Sequence, residues 1–296
     1  MSVVSVVVAT YKRGTSLASA LESLAKQTCL EMEIVVVDDN GSNEWSERVA
    51  SIVANFRGNY PDIPLNYIVN EKNQGSAKTR NIGIDACIGK YITFLDDDDL
   101  YLPDKVKRQA EFMEKGDYDY SITDLFLYNE NEKLVDKRIR SYITHTDADS
   151  LLKYHLMYHM TGTDTMMYKK EYLLQIGGFS PIDVGDEFYL MQRAINGKGK
   201  FGYLSGCDVK AYVHEGEGGL SSGDGKIKGE NDLFEYKRKY FSKLTSKDVR
   251  YIKVRHYAVI AYAELRRKNY TAFLKNSVKS FFVSPAACVK IFVGAK

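Results

Sequence analysis

Residues 3–10 (VVSVVVAT) are an almost unbroken run of β-branched and small side chains, the pattern of a strand buried on both faces. From Thr15 to Gln27, apolar Leu17, Leu21 and Leu24 recur at the spacing of an amphipathic helix. Glu33–Asp38 (EIVVVD) predicts a second buried strand, followed by a helix through Trp45, Val49, Ile52 and Phe56. Leu65–Val69 predicts a third strand, Ser76–Ile88 a third helix, and Tyr91–Leu95 (YITFL) a fourth strand that runs into Asp96–Asp99. Strands and helices alternating at this rhythm predict parallel βαβ units in an open α/β sheet.

Beyond residue 100 the rhythm changes. Pro103–Lys115 reads as a helix with proline in its first turn. Tyr118–Tyr128 and Leu134–Arg140 read as two strands of a mixed sheet, Asp149–Tyr158 and Asp186–Ile195 as helices, and Lys210–His214 as a short strand. Glu215–Gly229 (EGEGGLSSGDGKIKG) is rich in Gly and Ser and reads as a mobile loop. Helical character then continues through Leu233–Leu244, Val249–Lys268 and Tyr270–Phe282. The expected division is residues 1–229, made of halves 1–100 and 101–229, and a C-terminal helical region 230–296. No internal repeat or low-complexity tract appears.

The 296 residues are 44% hydrophobic, 27% charged and 12% aromatic, an ordinary globular composition. The formal net charge is only +2, so a nucleic-acid partner held by global charge is not expected. The apolar start is short and lacks a basic flank, and no run approaches the roughly 20 apolar residues of a membrane-spanning helix. Cys29, Cys87, Cys207 and Cys288 are scattered without a C-x-x-C pair, which implies neither a zinc knuckle nor a disulfide framework. The expectation is a reduced, cytoplasmic protein.

Ligands of open α/β sheets bind beyond the carboxyl ends of the strands. Three such ends are polar here: Thr10-Tyr11-Lys12-Arg13, Asp38-Asp39-Asn40-Gly41-Ser42 and Asp96-Asp97-Asp98-Asp99. Any one cluster also suits a helix N-cap. Four adjacent carboxylates, however, raise one another's pKa unless a cation sits among them. An EF-hand is excluded, because positions five, six and twelve counted from Asp96 are Leu100, Tyr101 and Lys107. A carboxylate pair holding Mg²⁺ or Mn²⁺ against a diphosphate fits better. No G-x-G-x-x-G follows the first strand, and Gly83 with Gly89-Lys90 is one residue too long for a P-loop, with Tyr91 in place of Ser or Thr. His155 and His159 stand at i and i+4, but Leu156 occupies the place of the zincin glutamate.

The segments VSVVVATYKRG, IVVVDDNGS, NQGSAKTRNIG and YITFLDDDD occur in the order and spacing of family 2 glycosyltransferases of GT-A fold, and the chain resembles that family over about residues 2 to 222. The resemblance implies an α/β GT-A fold, with a Rossmann-like nucleotide-binding half and a mixed central sheet, plus a C-terminal helical extension. It places Thr10, Tyr11 and Arg13 in a nucleotide pocket, Asp39 against the base (typically uracil) and Arg80 near the nucleotide. Thr79 stands where the family usually has Ala. The acidic run resembles the D-x-D motif, with Asp96 and Asp97 toward the ribose and Asp98 toward the metal, in a register that four identical residues leave open. Asp99 alternatively caps the following helix. In the family's G-E-D-x-x-L-x-x-R pattern, counting back from Leu190 and Arg193 puts Glu187 in the catalytic-base position, whereas chemical identity favours Asp186. His214 matches a late metal-ligating histidine, and Ser221 and Ser222 are weaker phosphate-contact candidates.

The activity so implied is metal-dependent, inverting transfer of a sugar from a nucleotide diphosphate sugar, typically a UDP-sugar, to a hydroxyl acceptor. Mn²⁺ or Mg²⁺ is the implied cofactor. A glycan or lipid-linked acceptor in polysaccharide or cell-envelope synthesis is the family-level expectation. Phe273, Phe281 and Phe282 interleave with Lys275 and Lys279, which reads either as a surface for peripheral contact with the inner face of an anionic membrane or as a helix packed on the core or on a second copy. Two other readings of the chain remain: a nucleotidyltransferase that makes sugar nucleotides, for which Ala9-Thr10-Tyr11-Lys12 lacks the Gly-rich signature, and a non-catalytic nucleotide- or glycan-binding module.

Overall fold

The computed structural model describes residues 4–29, 31–182, 184–213 and 223–293. The chain forms two compact units, residues 1–151 with 160–213 and residues 152–159 with 214–296. The first contains a seven-stranded sheet built on β1 (Val4–Thr10), β2 (Met32–Asp38), β3 (Leu65–Val69) and β4 (Tyr91–Phe94). β1 pairs in parallel with β2 and β4, and β2 with β3. Alternate residues of β1 and β2 face opposite layers. Val4, Val6, Val8, Ile34 and Val36 share a core with α1 (Thr15–Ala25) and α2 (Glu44–Asn59). On the other side, Gly83 of α3 (Ser76–Ala86) sits so close to Val7 that a Cβ would lie 2.5 Å from its Cγ1. Burial on both faces explains the β-branched runs.

The sheet continues past β4 through elements that carry weak sequence patterns. β5 (Leu100–Tyr101) and α4 (Lys105–Gly116) precede β6 (Tyr120–Thr123), β7 (Leu125–Asn129) and β8 (Leu134–Arg138). After α5 (Ala148–Tyr158) come β9 (Met166–Lys169), α6 (Lys170–Gln175), α7 (Asp186–Asn196), β10 (Phe201–Leu204) and β11 (Val209–Val213). The large sheet has the order β10-β6-β9-β4-β1-β2-β3, and β9 runs antiparallel to both neighbours. A second sheet has the order β5-β11-β7-β8.

The structure corrects several expectations. Tyr118–Tyr128 is two strands in two sheets, not one. The chain changes sheet at Asp124, whose carboxylate accepts from the Arg140 and Gly206 amides at 2.9 and 3.0 Å and from the Tyr203 hydroxyl at 2.7 Å. Pro103 lies ahead of α4 rather than in its first turn. Of the expected loop Glu215–Gly229, residues 223–229 belong to α8 (Gly223–Arg238), and 215–222 lie outside the described residues. Packing overrides their glycine content: farther along α8, the Phe234 ring stacks on His256 with centroids 4.0 Å apart. The division after Val213 comes earlier than the boundary expected near 230.

The second unit is helical. α8 and α9 (Ser246–Arg266) are joined by the His256–Glu230 contact at 3.3 Å. α10 (Tyr270–Val283) packs on α9, and the buried Ser280 hydroxyl donates to the Val254 carbonyl at 3.0 Å. α11 (Pro285–Val293) follows. Among the described residues, no helix is long and apolar enough to cross a membrane.

Candidate active site

The site is built at the carboxyl ends of β1, β2 and β4, and its residues all belong to the first unit. Thr10 ends β1, buried and opposite Asp38 in the sheet register. The chain then turns sharply: Lys12 has φ +53°, held by its amide donating to Asn40 Oδ1 at 2.8 Å. This turn leaves Tyr11 43% exposed and directs Arg13 at the acidic run. The Arg13 guanidinium reaches Asp97 at 3.3 Å and Asp98 at 2.7 Å.

The two carboxylates after β2 have different tasks. Asp38 is wholly buried and accepts from the Asn40 amide, the Asn40 side chain, the Ser46 hydroxyl and the Tyr67 hydroxyl. Asp39 accepts from the Gln74 and Gly75 amides at 2.8 and 3.0 Å and from Asn70 Nδ2 at 2.8 Å. Asp39 therefore shapes the 70–75 loop that leads into α3.

Arg80 leaves α3 and joins the two acidic halves of the site. Its Nη2 donates to Asp96 Oδ1 at 2.6 Å, and its Nη1 donates to Asp186 Oδ2. The guanidinium also lies over the Phe179 ring, 5.4 Å from its centroid. Burial by itself lowers the Arg80 pKa, but Asp186 and Asp96 outweigh it and hold the group above its ordinary value. The neighbouring Asn81 clamps Phe179 by two backbone bonds of 2.8 and 2.9 Å, which fixes the Gly177-Gly178-Phe179 loop against α3.

Asp186 and Glu187 open α7, where a helix N-terminus favours carboxylates. Asp186 is buried, accepts from Ser76 Oγ at 3.1 Å, and has its pKa pushed up to about 7. The causes are burial, partly offset by Arg80, and then the charge of Glu187. Glu187 is half-buried and hydrogen-bonded to Asp186 through its side chain.

The run Asp96–Asp99 splits by direction. Asp97 is buried and pushed up to about 7, first by burial and then by Asp98. Asp96, Asp99 and Asp164 converge, with carboxylate oxygens within 4.8 Å of one another. Asp164 accepts from the Asp96 amide at 2.7 Å and shares a side-chain hydrogen bond with Asp99. Burial comes first for both: with the charge of Asp96 it raises Asp164 to about 7, the hydrogen bond from Asp99 acting against it, and with the charge of Asp164 it raises Asp99 well above the ordinary carboxylate range. Buried Lys105 donates to Thr93 Oγ1 and Tyr101 OH at 2.6 and 2.7 Å, and burial lowers its pKa to about 7. The three carboxylates gather oxygen ligands of the kind a hard divalent cation uses, with Arg80 on Asp96 and the hydrogen bond shared by Asp99 and Asp164 relieving part of their charge.

The structure brings Tyr11, Arg13, Asp97 and Asp98 into one network, and Arg80, Asp96, Asp186 and Glu187 into another. Thr10 and Asp39 lie at adjoining strand ends. His214, Ser221 and Ser222 lie outside the described residues. Asp164 and Lys105 escape sequence reasoning. Asp164 precedes the four-residue β9 in a stretch with no recognisable spacing, and Lys105 looks like one more basic residue on an amphipathic helix.

Residues 5–177 match the model of glycosyl transferase family 2. An uncharacterized glycosyltransferase of Rickettsia felis is 36% identical over 133 residues, 45% of this chain and 21% of that protein. The amylovoran biosynthesis glycosyltransferase AmsB of Erwinia amylovora is 30% identical over 111 residues, 38% of this chain and 36% of that protein. The chain therefore spans well under two thirds of the length of these relatives. Staphylococcus aureus TarS 1–349 in complex with UDP-GlcNAc superposes with a TM-score of 0.62 at 19% identity, covering 95% of this chain and 91% of that chain. At that identity the likeness concerns the fold, a GT-A-type mixed α/β architecture followed by helices.

Proposed function

The chain belongs to glycosyl transferase family 2, and from that premise we propose that it transfers a sugar from a nucleotide diphosphate sugar to a hydroxyl acceptor with inversion at the anomeric carbon. The observation that carries this reading is the Arg80 bridge, which holds the acidic end of β4 and the carboxylates of α7 in one site. A nucleotide is accommodated beside exposed Tyr11 and Arg13, with Thr10, Asp39, Asp96 and Asp97 behind them. The UDP-GlcNAc complex of TarS supports a UDP-sugar donor, and AmsB supports a polysaccharide acceptor.

Glu187 is the proposed base. It is half-buried and adjacent to Asp186, which Arg80 and Ser76 pin in place. Glu187 takes the proton of the acceptor hydroxyl as that oxygen bonds to the anomeric carbon, and the bond from that carbon to the diphosphate breaks. Asp186 orients Arg80 and the start of α7. Asp98 would hold Mn²⁺ or Mg²⁺, and such an ion neutralises charge on a diphosphate leaving group.

Calorimetric titration of UDP, GDP and dTDP, with and without Mn²⁺, tests the reading on the wild type and on Asp98→Ala. Metal-dependent binding of one nucleotide, lost in the variant, is expected. A folded protein that binds none of the three would overturn the transferase reading in favour of a binding module. Pyrophosphate exchange in place of UDP release would indicate a nucleotidyltransferase.

A further inference from the structure

We propose that the exposed face of α10 and α11 docks on an anionic lipid surface, lying in the headgroup plane rather than crossing it. The inference stands on the second unit alone and does not depend on the transferase reading.

α10 presents Tyr270, Leu274, Val278, Phe281 and Phe282 at exposures of 64%, 63%, 42%, 47% and 80%. Their spacing of four, four, three and one residues puts them on one side of a 3.6-residue helix. The opposite side is committed to α9 through buried Ser280. On α11, Val289 is 53% exposed. An open groove of about 390 Å³ between the two helices is lined by Phe273, Ser277, Val278, Phe281, Phe282 and Cys288. A contiguous apolar surface of this kind marks an interaction site rather than ordinary scattered exposure.

Charge identifies the partner. Residues 265–296 contain seven of the chain's 41 basic residues and none of its 39 acidic ones. Lys275 and Lys279 are exposed beside the apolar stripe, and Arg266 ends α9, followed by Arg267 and Lys268. A second copy would bring the same positive charge to the contact. An anionic bilayer complements it, and lysine stems let ammonium groups reach phosphates while aromatic rings enter the acyl boundary. α10 has 14 residues and α11 nine, too few to span a hydrocarbon core, so an in-plane placement follows.

Co-sedimentation of the full chain with vesicles of phosphatidylcholine, alone or mixed with phosphatidylglycerol, tests the proposal. Binding at least about tenfold tighter to the phosphatidylglycerol vesicles is expected, weakening as salt is raised. Lys275→Glu with Lys279→Glu should weaken it by about tenfold or more. Leu274→Ser with Phe282→Ser should abolish it, with circular-dichroism melts unchanged because all four side chains are exposed. No binding to the anionic vesicles, equal binding to both vesicle types, or unchanged binding by both variants would each overturn the proposal. Self-association in sedimentation velocity that is lost in the Leu274→Ser, Phe282→Ser variant would assign the face to a second copy instead.

Discussion

Arg80 ties two acidic clusters whose charges would otherwise repel, and its two carboxylate partners are not interchangeable. Asp186 is consumed in holding it, whereas Glu187 keeps a half-buried carboxylate at the same helix start. Glu187→Gln should therefore lower kcat by roughly 10²–10⁴-fold, the usual contribution of a general base, while donor KM stays nearly constant. Asp186→Asn should change KM and kcat together, because the Arg80 side chain loses a charged partner. Steady-state UDP release separates the two outcomes, and a larger kcat loss in Asp186→Asn would reverse the assignment. A second comparison concerns the cation. Asp98→Asn should remove the Mn²⁺-dependent part of UDP binding, roughly tenfold or more. Asp164→Asn should leave it within about threefold, since an amide still serves the Asp96 amide and Asp99. If Asp164→Asn removes it instead, the ion belongs to the convergent group of Asp96, Asp99 and Asp164.

At the scale of elements, α3 delivers Arg80 and Asn81 because it lies unusually close to the sheet. Gly83 makes that approach possible: a Cβ there would meet Val7 Cγ1 at 2.5 Å and Val37 Cγ2 at 3.3 Å. Alanine's gain of about 1 kcal/mol in helix propensity is set against that same Cβ clash, and the two further methyl groups of valine force the helix outward. Gly83→Val should cost about 1–3 kcal/mol by overpacking, visible in urea unfolding, and should weaken nucleotide binding as Arg80 shifts. Unchanged stability would show that α3 can move freely. The elements legible in the sequence are those around this contact. β1, β2 and β4 are buried on both faces and advertise it in β-branched runs, and α1 shows its leucine stripe. β9 and β10 are four-residue strands, MMYK and FGYL, too short to establish a period. Their identity comes from partners distant in sequence, as does the break at Asp124. The strand-end motifs exposed most of the candidate site for the same reason, because they adjoin long regular elements. Asp164 stayed hidden because it reaches Asp96 only through the tertiary fold.

For the whole molecule, a net charge near zero conceals a strong partition. Residues 265–296 carry seven basic and no acidic residues, acidic residues gather at the strand ends, and Lys105, Arg140 and Lys237 are buried cations. Lys237 is 4% exposed in the second unit, facing Glu230, Arg255 and His256. Its pKa falls from 10.5 to about 7, by burial first and by Arg255 next, against the pull of Glu230. In the unfolded chain this lysine keeps its proton up to about pH 10. Between about 7 and about 10 the unfolded state therefore binds more protons, so this group makes stability rise with pH across that window and fall as pH drops toward 7. Lys237→Met retains the packing volume and removes the titration. It should flatten that part of the pH–stability curve and raise the neutral-pH melting temperature by roughly 2–4 °C, the effect of about 1 kcal/mol in a chain of this size. Calorimetric scans of both proteins at several pH values give the comparison directly. A lower melting temperature in Lys237→Met would mean that Glu230 holds Lys237 protonated in the folded state, so that the pair, rather than apolar packing, joins α8 to α9.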